Sequence, residues 1–161
     1  TQDRTIGLLA SSVSSRGELI LVRPDRLRWH LDPPDEITWW VSRNTLSYAS
    51  SSSRGTVTRE AAGATAALLD DLLAVLGGDV ALLQTRYRID VRSGPDDAVV
   101  VSAVPVDPDV ARRARRITLT LAPDLVRPRQ VVLEETEEDQ SSIRFYDVRI
   151  NEPVDPAVMR P

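Results

Sequence analysis

"GELILVRPDRLRW", residues 17–29, decides how the rest of the chain is read. Gly17–Val22 is a run of strand formers. Pro24 and Asp25 then stop it, because proline has no N–H to give a ladder and both residues favour turns. From Leu27 a second run alternates. Leu27, Trp29 and Leu31 fall on one side of a strand, and Arg26, Arg28 and His30 on the other. Two strands joined by so short a turn are antiparallel neighbours. Arg23 is two residues from Leu21 and four from Leu19, so a period of two places this cation on the same sheet face as the leucines. A cation at the end of an apolar stripe needs an explanation.

The pattern continues on both sides. Arg4–Leu9 predicts a short strand before it. "DPPDE" (32–36) is a rigid turn, and "ITWWVS" (37–42) a strand with Ile37, Trp39 and Val41 on one side. Arg43-Asn44 forms a hairpin tip, and "TLSY" (45–48) returns. "ASSSSRG" (49–55) is a loop by composition, and 56–60 a further strand. The period then changes. Residues 65–79 predict the one strong helix. Its leucines at 68, 69, 72, 73 and 76 share a face, Asp70 and Asp71 lie off it, Thr65 is the N-cap and Gly77 follows the end. A short helical piece over 80–84 follows. Strands resume at 86–91, 98–104, 116–122, 129–136 and 141–150. Short connections throughout argue for an antiparallel meander, and the absence of alternating helices argues against a parallel α/β fold.

The 161 residues suffice for one domain with a sizeable core. The net charge of -4 gives no case for nucleic acid, whose binding domains carry a basic excess. No cysteine is present, which excludes disulfides, thiol catalysis and thiolate metal sites. The one histidine, His30, lies on the charged face of its strand and reads as a surface side chain. Without other histidines or cysteines, only carboxylates could hold a metal, and the acidic run at 134–139 lacks the spacing and central glycine of a calcium loop. It reads as a solvated hairpin. "ARRARR" (111–116) reads as a charged connection into the next strand. No nucleophile elbow, phosphate loop or dinucleotide fingerprint occurs. No catalytic residue, metal or cofactor is expected, and an enzyme is the least expected class.

Several strands are apolar on both faces: 19–22, Ile37 with Trp39, Trp40 and Val41, and 99–101. Such strands are normally covered twice, yet one strong helix is available. The sheet must curl, dimerise or leave an apolar hollow, and a curled sheet under a helix makes a site for a greasy ligand. An ordinary sheet-and-helix core is the simpler outcome, and pattern alone leaves both open.

Residues 17–36, "GELILVRPDRLRWHLDPPDE", resemble the signature of the outer-membrane lipoprotein carrier (LolA) family. Gly17, Arg23, Pro24, Arg28, Trp29, Pro34 and Glu36 match it, with Leu27 where the family usually has Phe. The stretch "VSRNTLSY" is similar to the next family hairpin, reduced to Leu46 and Tyr48 of its usual pattern. The closing pattern of the family is matched by Phe145, Val148, Asn151, Val154 and Asp155. Order and spacing hold over nearly the whole chain. Family members begin with a helix before the first strand, and this chain starts where that helix would end. Its last strand and final segment are also cut short.

The resemblance implies a mainly β, α+β fold: an incomplete antiparallel β-barrel under a helical lid, formed as a single domain over 1–161. It implies a monomeric periplasmic carrier of a Gram-negative bacterium. Such a carrier takes lipoprotein acyl chains from an inner-membrane releasing transporter and hands them to an outer-membrane receptor. Each buried methylene is worth about 0.8 kcal/mol, so transfer runs on differential affinity. By resemblance Arg23 is the lid latch, and helix 65–76 is part of the lid. The cavity is lined by Leu19, Leu21, Leu27, Trp29, Ile37, Trp39, Val41, Leu46, Tyr48, Leu68, Leu69, Leu72, Leu73, Leu76, Val100 and Leu119. Three alternatives stand beside this: a carrier of the same fold for another lipid or acylated product, a lipid-sensing regulatory domain, and a receptor anchored by a lipidated cysteine upstream.

Overall fold

The computed structural model describes residues 1–6, 11–42, 44–106, 108–112, 114–135 and 139–161; side chains at 3–6, 11–13, 59, 60, 62, 64–68 and 109 lie outside the description. In chain order the elements are β1 (Gln2–Ile6), β2 (Ser11–Ser15), β3 (Gly17–Val22), β4 (Arg26–Leu31), β5 (Ile37–Val41), β6 (Thr45–Ser50), β7 (Arg54–Thr58), α1 (Arg59–Gly77) and α2 (Val80–Arg86). There follow β8 (Tyr87–Ser93), a 3-10 turn at Pro95–Asp97, β9 (Val99–Pro105), α3 (Pro108–Ala111), β10 (Arg116–Leu121), β11 (Pro128–Glu134) and β12 (Gln140–Arg144). The fold is mainly β with helices, and its two antiparallel sheets do not close into a barrel.

The chain divides into two compact units: residues 15–79 with 152–161, and residues 1–14 with 80–151. The first holds the five-stranded meander β3-β4-β5-β6-β7 and α1. Its hairpins follow the sequence closely. Val22 pairs with Arg26, so Arg23, Pro24 and Asp25 alone make the first turn. Val41 pairs with Leu46, and the Ser42 amide donates to the Thr45 carbonyl at 3.0 Å. Arg43, placed at that tip by the sequence, lies outside the described residues. The serine-rich loop is shorter than expected. β6 runs on to Ser50, whose hydroxyl accepts from the Ser53 amide, and β7 begins at Arg54. Polar serines can pair in a ladder once neighbouring strands fix the register; composition registers only their solubility.

The helix also starts earlier than predicted. Thr58, not Thr65, is the N-cap, its hydroxyl accepting from the Ala61 amide at 3.3 Å. Gly63 interrupts the helix with φ 53 and ψ -122, so the uninterrupted part runs from 64, close to the predicted start. The C-cap is Gly78, in the left-handed region at φ 72. Leu69, Asp71, Leu72, Leu73, Ala74 and Val75 are all buried. Asp71, which the sequence places off the leucine face, is thus buried along with the leucines.

The second unit holds the seven-stranded sheet β2-β1-β12-β11-β10-β9-β8. β1 begins at Gln2 rather than Arg4 and pairs with β12, Gln2 opposite Ile143; the predicted strand's residues 7–9 lie outside the described residues. β2 carries no apolar alternation in the sequence and escaped the reading. β12 stops at Arg144, short of the predicted 150. The Phe145 amide still donates to the Arg129 carbonyl at 3.0 Å, but Asp147 at φ 53 turns the chain away. The "ARRARR" segment is a connection, as expected, with an unforeseen turn of helix, α3, anchored by the buried Val110. It is tied to the sheet by the Arg115 amide, which donates to the Glu134 carbonyl at 2.7 Å. Glu134 itself pairs with Gln140 across the acidic hairpin.

Candidate functional site

In the five-stranded sheet, residues directly opposite each other share a face. One row across the core face reads Leu19, Trp29, Trp39, Tyr48, Gly55. The next reads Leu21, Leu27, Val41, Leu46, Val57. Ile37 joins the face opposite Leu31. The sheet residues assigned to a cavity in the sequence thus lie together on one face. Leu27, at the centre, has no exposed surface. The Trp39 and Tyr48 rings stand 5.6 Å apart at 43°. Tyr48 lies across Gly55, where a Cβ would come within 3.0 Å of its ring. Gly55 could not be found from sequence, because only the register opposes it to Tyr48.

Leu69 and Leu73 of α1 join Leu27, Val41 and Leu46 in one apolar cluster, with Leu19, Leu21, Trp29 and Trp39 packed around it. Leu72 is buried and Leu76 half-buried, both outside that cluster. The Leu68 side chain lies outside the described residues. The paired positions of the core face carry no carboxylate, amine or imidazole. The surface can bury hydrocarbon.

The opposite face is mixed: Ile20, Val22 and Trp40 share it with charged and polar residues. Arg28 donates to Glu18 at 2.8 Å. His30 Nδ1 meets Thr38 Oγ1 at 2.8 Å, and Nε2 stands 3.6 Å from Asp32. Trp40 is on this side too. Its indole N–H donates to the Val158 carbonyl at 3.0 Å, which brings the tail 152–161 over the sheet. That contact accounts for the second apolar position of β5. Among the described residues no group of three His, Cys, Asp or Glu could hold a metal ion, and no helix is long and apolar enough to cross a membrane.

Arg23 sits at the turn after β3. Its Nη2 is 3.7 Å from the point a Cβ on Gly78 would occupy, which places the guanidinium at the C-terminal end of α1. That end carries unsatisfied carbonyls and the negative pole of the helix. Arg23 thus continues the apolar stripe of β3 up to the end of the helix that covers it.

The family model for "Outer membrane lipoprotein carrier protein LolA" matches residues 1–160. The chain belongs to this family. No curated relative matches it. The family is one of carriers, not enzymes. Membership also gives the signature residues their places. Gly17 has His30 beneath it: a Cβ there would stand 1.8 Å from the His30 carbonyl oxygen. Pro24 is the middle residue of the β3–β4 turn, and Trp29 packs on the apolar cluster.

Two residues assigned to the same cavity do not share a wall. Leu119 opposes Val101, whereas Val100 opposes Thr120, so Val100 and Leu119 lie on opposite faces of the seven-stranded sheet. Both are buried. Alternation was the missed signal: residues 99–101 are all valine, and only the pairing with β10 says which way each points.

Proposed function

We propose that the chain carries lipoprotein acyl chains on the core face of the five-stranded sheet. The cluster of Leu27, Val41 and Leu46 with Leu69 and Leu73 carries this reading. It is an apolar cluster formed between the sheet and the helix α1. In the unloaded form α1 occupies the place of the acyl chains; loading moves it aside. Its ends suit that motion. Gly63 breaks the helix near its start, and Gly78 ends it beside Arg23. Arg23 is the latch, its guanidinium attracted to the helix terminus and released when α1 shifts. A movable element must be of low local stability, and a single exposed cation at one end is a weak tether.

Residues 1–161 act as one half-barrel domain in this reading, supported by a family model that runs through both units. The carrier works as a monomer in the periplasm. It receives cargo from an inner-membrane transporter and delivers it to an outer-membrane receptor, a route that membership in a family of outer-membrane lipoprotein carriers supports. The test is binding of a fluorescent acyl probe by the purified protein, competed by a triacylated lipopeptide. Saturable, competed binding is expected. A protein that takes up neither ligand would overturn the proposal.

A further inference from the structure

The hairpin between β10 and β11 presents apolar side chains at its tip. Leu125 is 60% exposed and Val126 54%. The turn is firmly built. The Leu125 amide donates to the Ala122 carbonyl at 3.0 Å, and the Ala122 amide to the Arg127 carbonyl at 2.8 Å. The Asp124 carboxylate accepts from the amides of Val126 and Arg127 at 2.9 and 3.0 Å, and from the Arg127 guanidinium at 2.6 Å. Within this turn Leu125 has φ 59. That conformation suits Gly or Asn and disfavours a bulky aliphatic residue. Leu125 is unfavourable both for its backbone and for its exposure. Local rules broken together in a well-held turn mark function rather than folding.

We propose that the Leu125–Val126 tip seats on a lipid bilayer surface, with Arg129 meeting lipid phosphates beside it. The surroundings fit a membrane interface. β12 ends next to the start of β11, and the Phe145 amide donates to the Arg129 carbonyl. Tyr146, 65% exposed, therefore stands near Arg129. Aliphatic tips, an amphipathic ring and a guanidinium are the side chains that partition to the headgroup level. A convex tip with so few apolar residues is far below the roughly 800 Å² per partner of a stable protein interface, whereas a bilayer demands no matching shape. The β8–β9 hairpin brings Asp96 and Asp97 to the same end of the sheet, so apolar insertion carries most of the affinity. The proposal stands apart from acyl-chain carriage: it concerns where the protein touches a membrane, not what it holds.

The experiment is co-sedimentation of the full chain with vesicles of phosphatidylethanolamine and phosphatidylglycerol. Leu125→Asn suits the backbone at φ 59 and removes only the apolar group; Val126→Ser is the second variant. The wild-type protein is expected to sediment, and the double variant to partition at least about tenfold less. Acyl-probe binding in solution should be unchanged, which separates the tip from the core face. Wild-type protein that stays in the supernatant, as a docking site for another protein would, overturns the proposal. So does a folded double variant that sediments as well as the wild type.

Discussion

The Arg23 guanidinium stands at the end of α1, its Nη2 3.7 Å from where Gly78 would carry a Cβ. Two separate effects meet there. Gly78 supplies the left-handed turn that ends the helix and donates its amide to the carbonyls of Ala74 and Val75. Arg23 supplies positive charge to the same terminus. Arg23→Leu should remove the charge and leave the cap. Helix-terminus charges at an exposed position are worth about 0.3–1 kcal/mol, so thermal stability should fall only slightly. Probe release should quicken severalfold, since the cover opens more easily. Stopped-flow release of the acyl probe measures this. Release and uptake rates equal to wild type would remove the latch from the proposal.

Gly78→Ala tests the other half of that corner. At 3.7 Å a methyl group makes ordinary contact with Arg23, so no collision is expected. The cost is conformational, about 1–2 kcal/mol for an L-residue held in the left-handed region. Denaturant melts should show that loss, with probe binding retained.

Gly17→Ala is expected to be far more damaging. The methyl group would lie 1.8 Å from the His30 carbonyl oxygen and 2.9 Å from the Leu31 Cα, all backbone. Neither strand can yield without breaking the Gly17–Leu31 pair that begins the β3–β4 ladder. A loss of at least about 2 kcal/mol is expected, at the upper end of ordinary point mutations. A melt within 0.5 kcal/mol of wild type would show that this close approach is not kept in solution.

Gly17 also shows what the sequence made legible. Its place in the signature marked it as special, but the reason lies in His30, thirteen residues on, which only the register brings beneath it. The first hairpins were readable because Leu19, Leu21, Leu27, Trp29, Trp39 and Val41 alternate and prolines punctuate them. Residues 99–101 were not, since three valines in a row have no phase. The early start of α1 at Arg59 was hidden by Gly63, a helix breaker that the structure accommodates with a positive φ. Asp71 lies off the leucine face in the helical period, and its burial is not visible in that period. Local pattern gave strands and faces; long-range pairing decided enclosure.

The Asp124 turn should respond to acid. Hydrogen bonds from the amides of Arg127 and Val126, with the Arg127 charge adding to them, hold this carboxyl below its ordinary 3.8. A depressed value means that the folded turn prefers the ionised form. Its stabilisation is therefore complete above the unfolded-state value and is lost as pH falls through the folded one. The amide resonances of Val126 and Arg127 should titrate below pH of about 4, and hydrogen exchange there should quicken. Asp124→Asn should abolish that titration. Flat amide shifts through the acid range would contradict the turn geometry.

Trp39 and Trp40 are neighbours in sequence that the structure puts on opposite faces of β5. Trp39 opposes Trp29 and Tyr48 on the apolar side, and Trp40 opposes Arg28 and Ser47 on the mixed side, bonded to the Val158 carbonyl. An acyl chain on the core face must lie beside Trp29 and Trp39 and be separated from Trp40 by the sheet itself. A fatty acid brominated along its chain quenches indole fluorescence on contact. Trp40→Phe should leave the quenchable fraction of the emission higher than in the wild type, because the shielded indole is gone. Trp29→Phe with Trp39→Phe should leave the emission of Trp40 nearly unquenched. Both variants keep an aromatic ring at each position, so the packing around Leu27 is largely preserved. Equal quenching in the two variants would mean that hydrocarbon does not discriminate between the faces, and would place the cargo elsewhere.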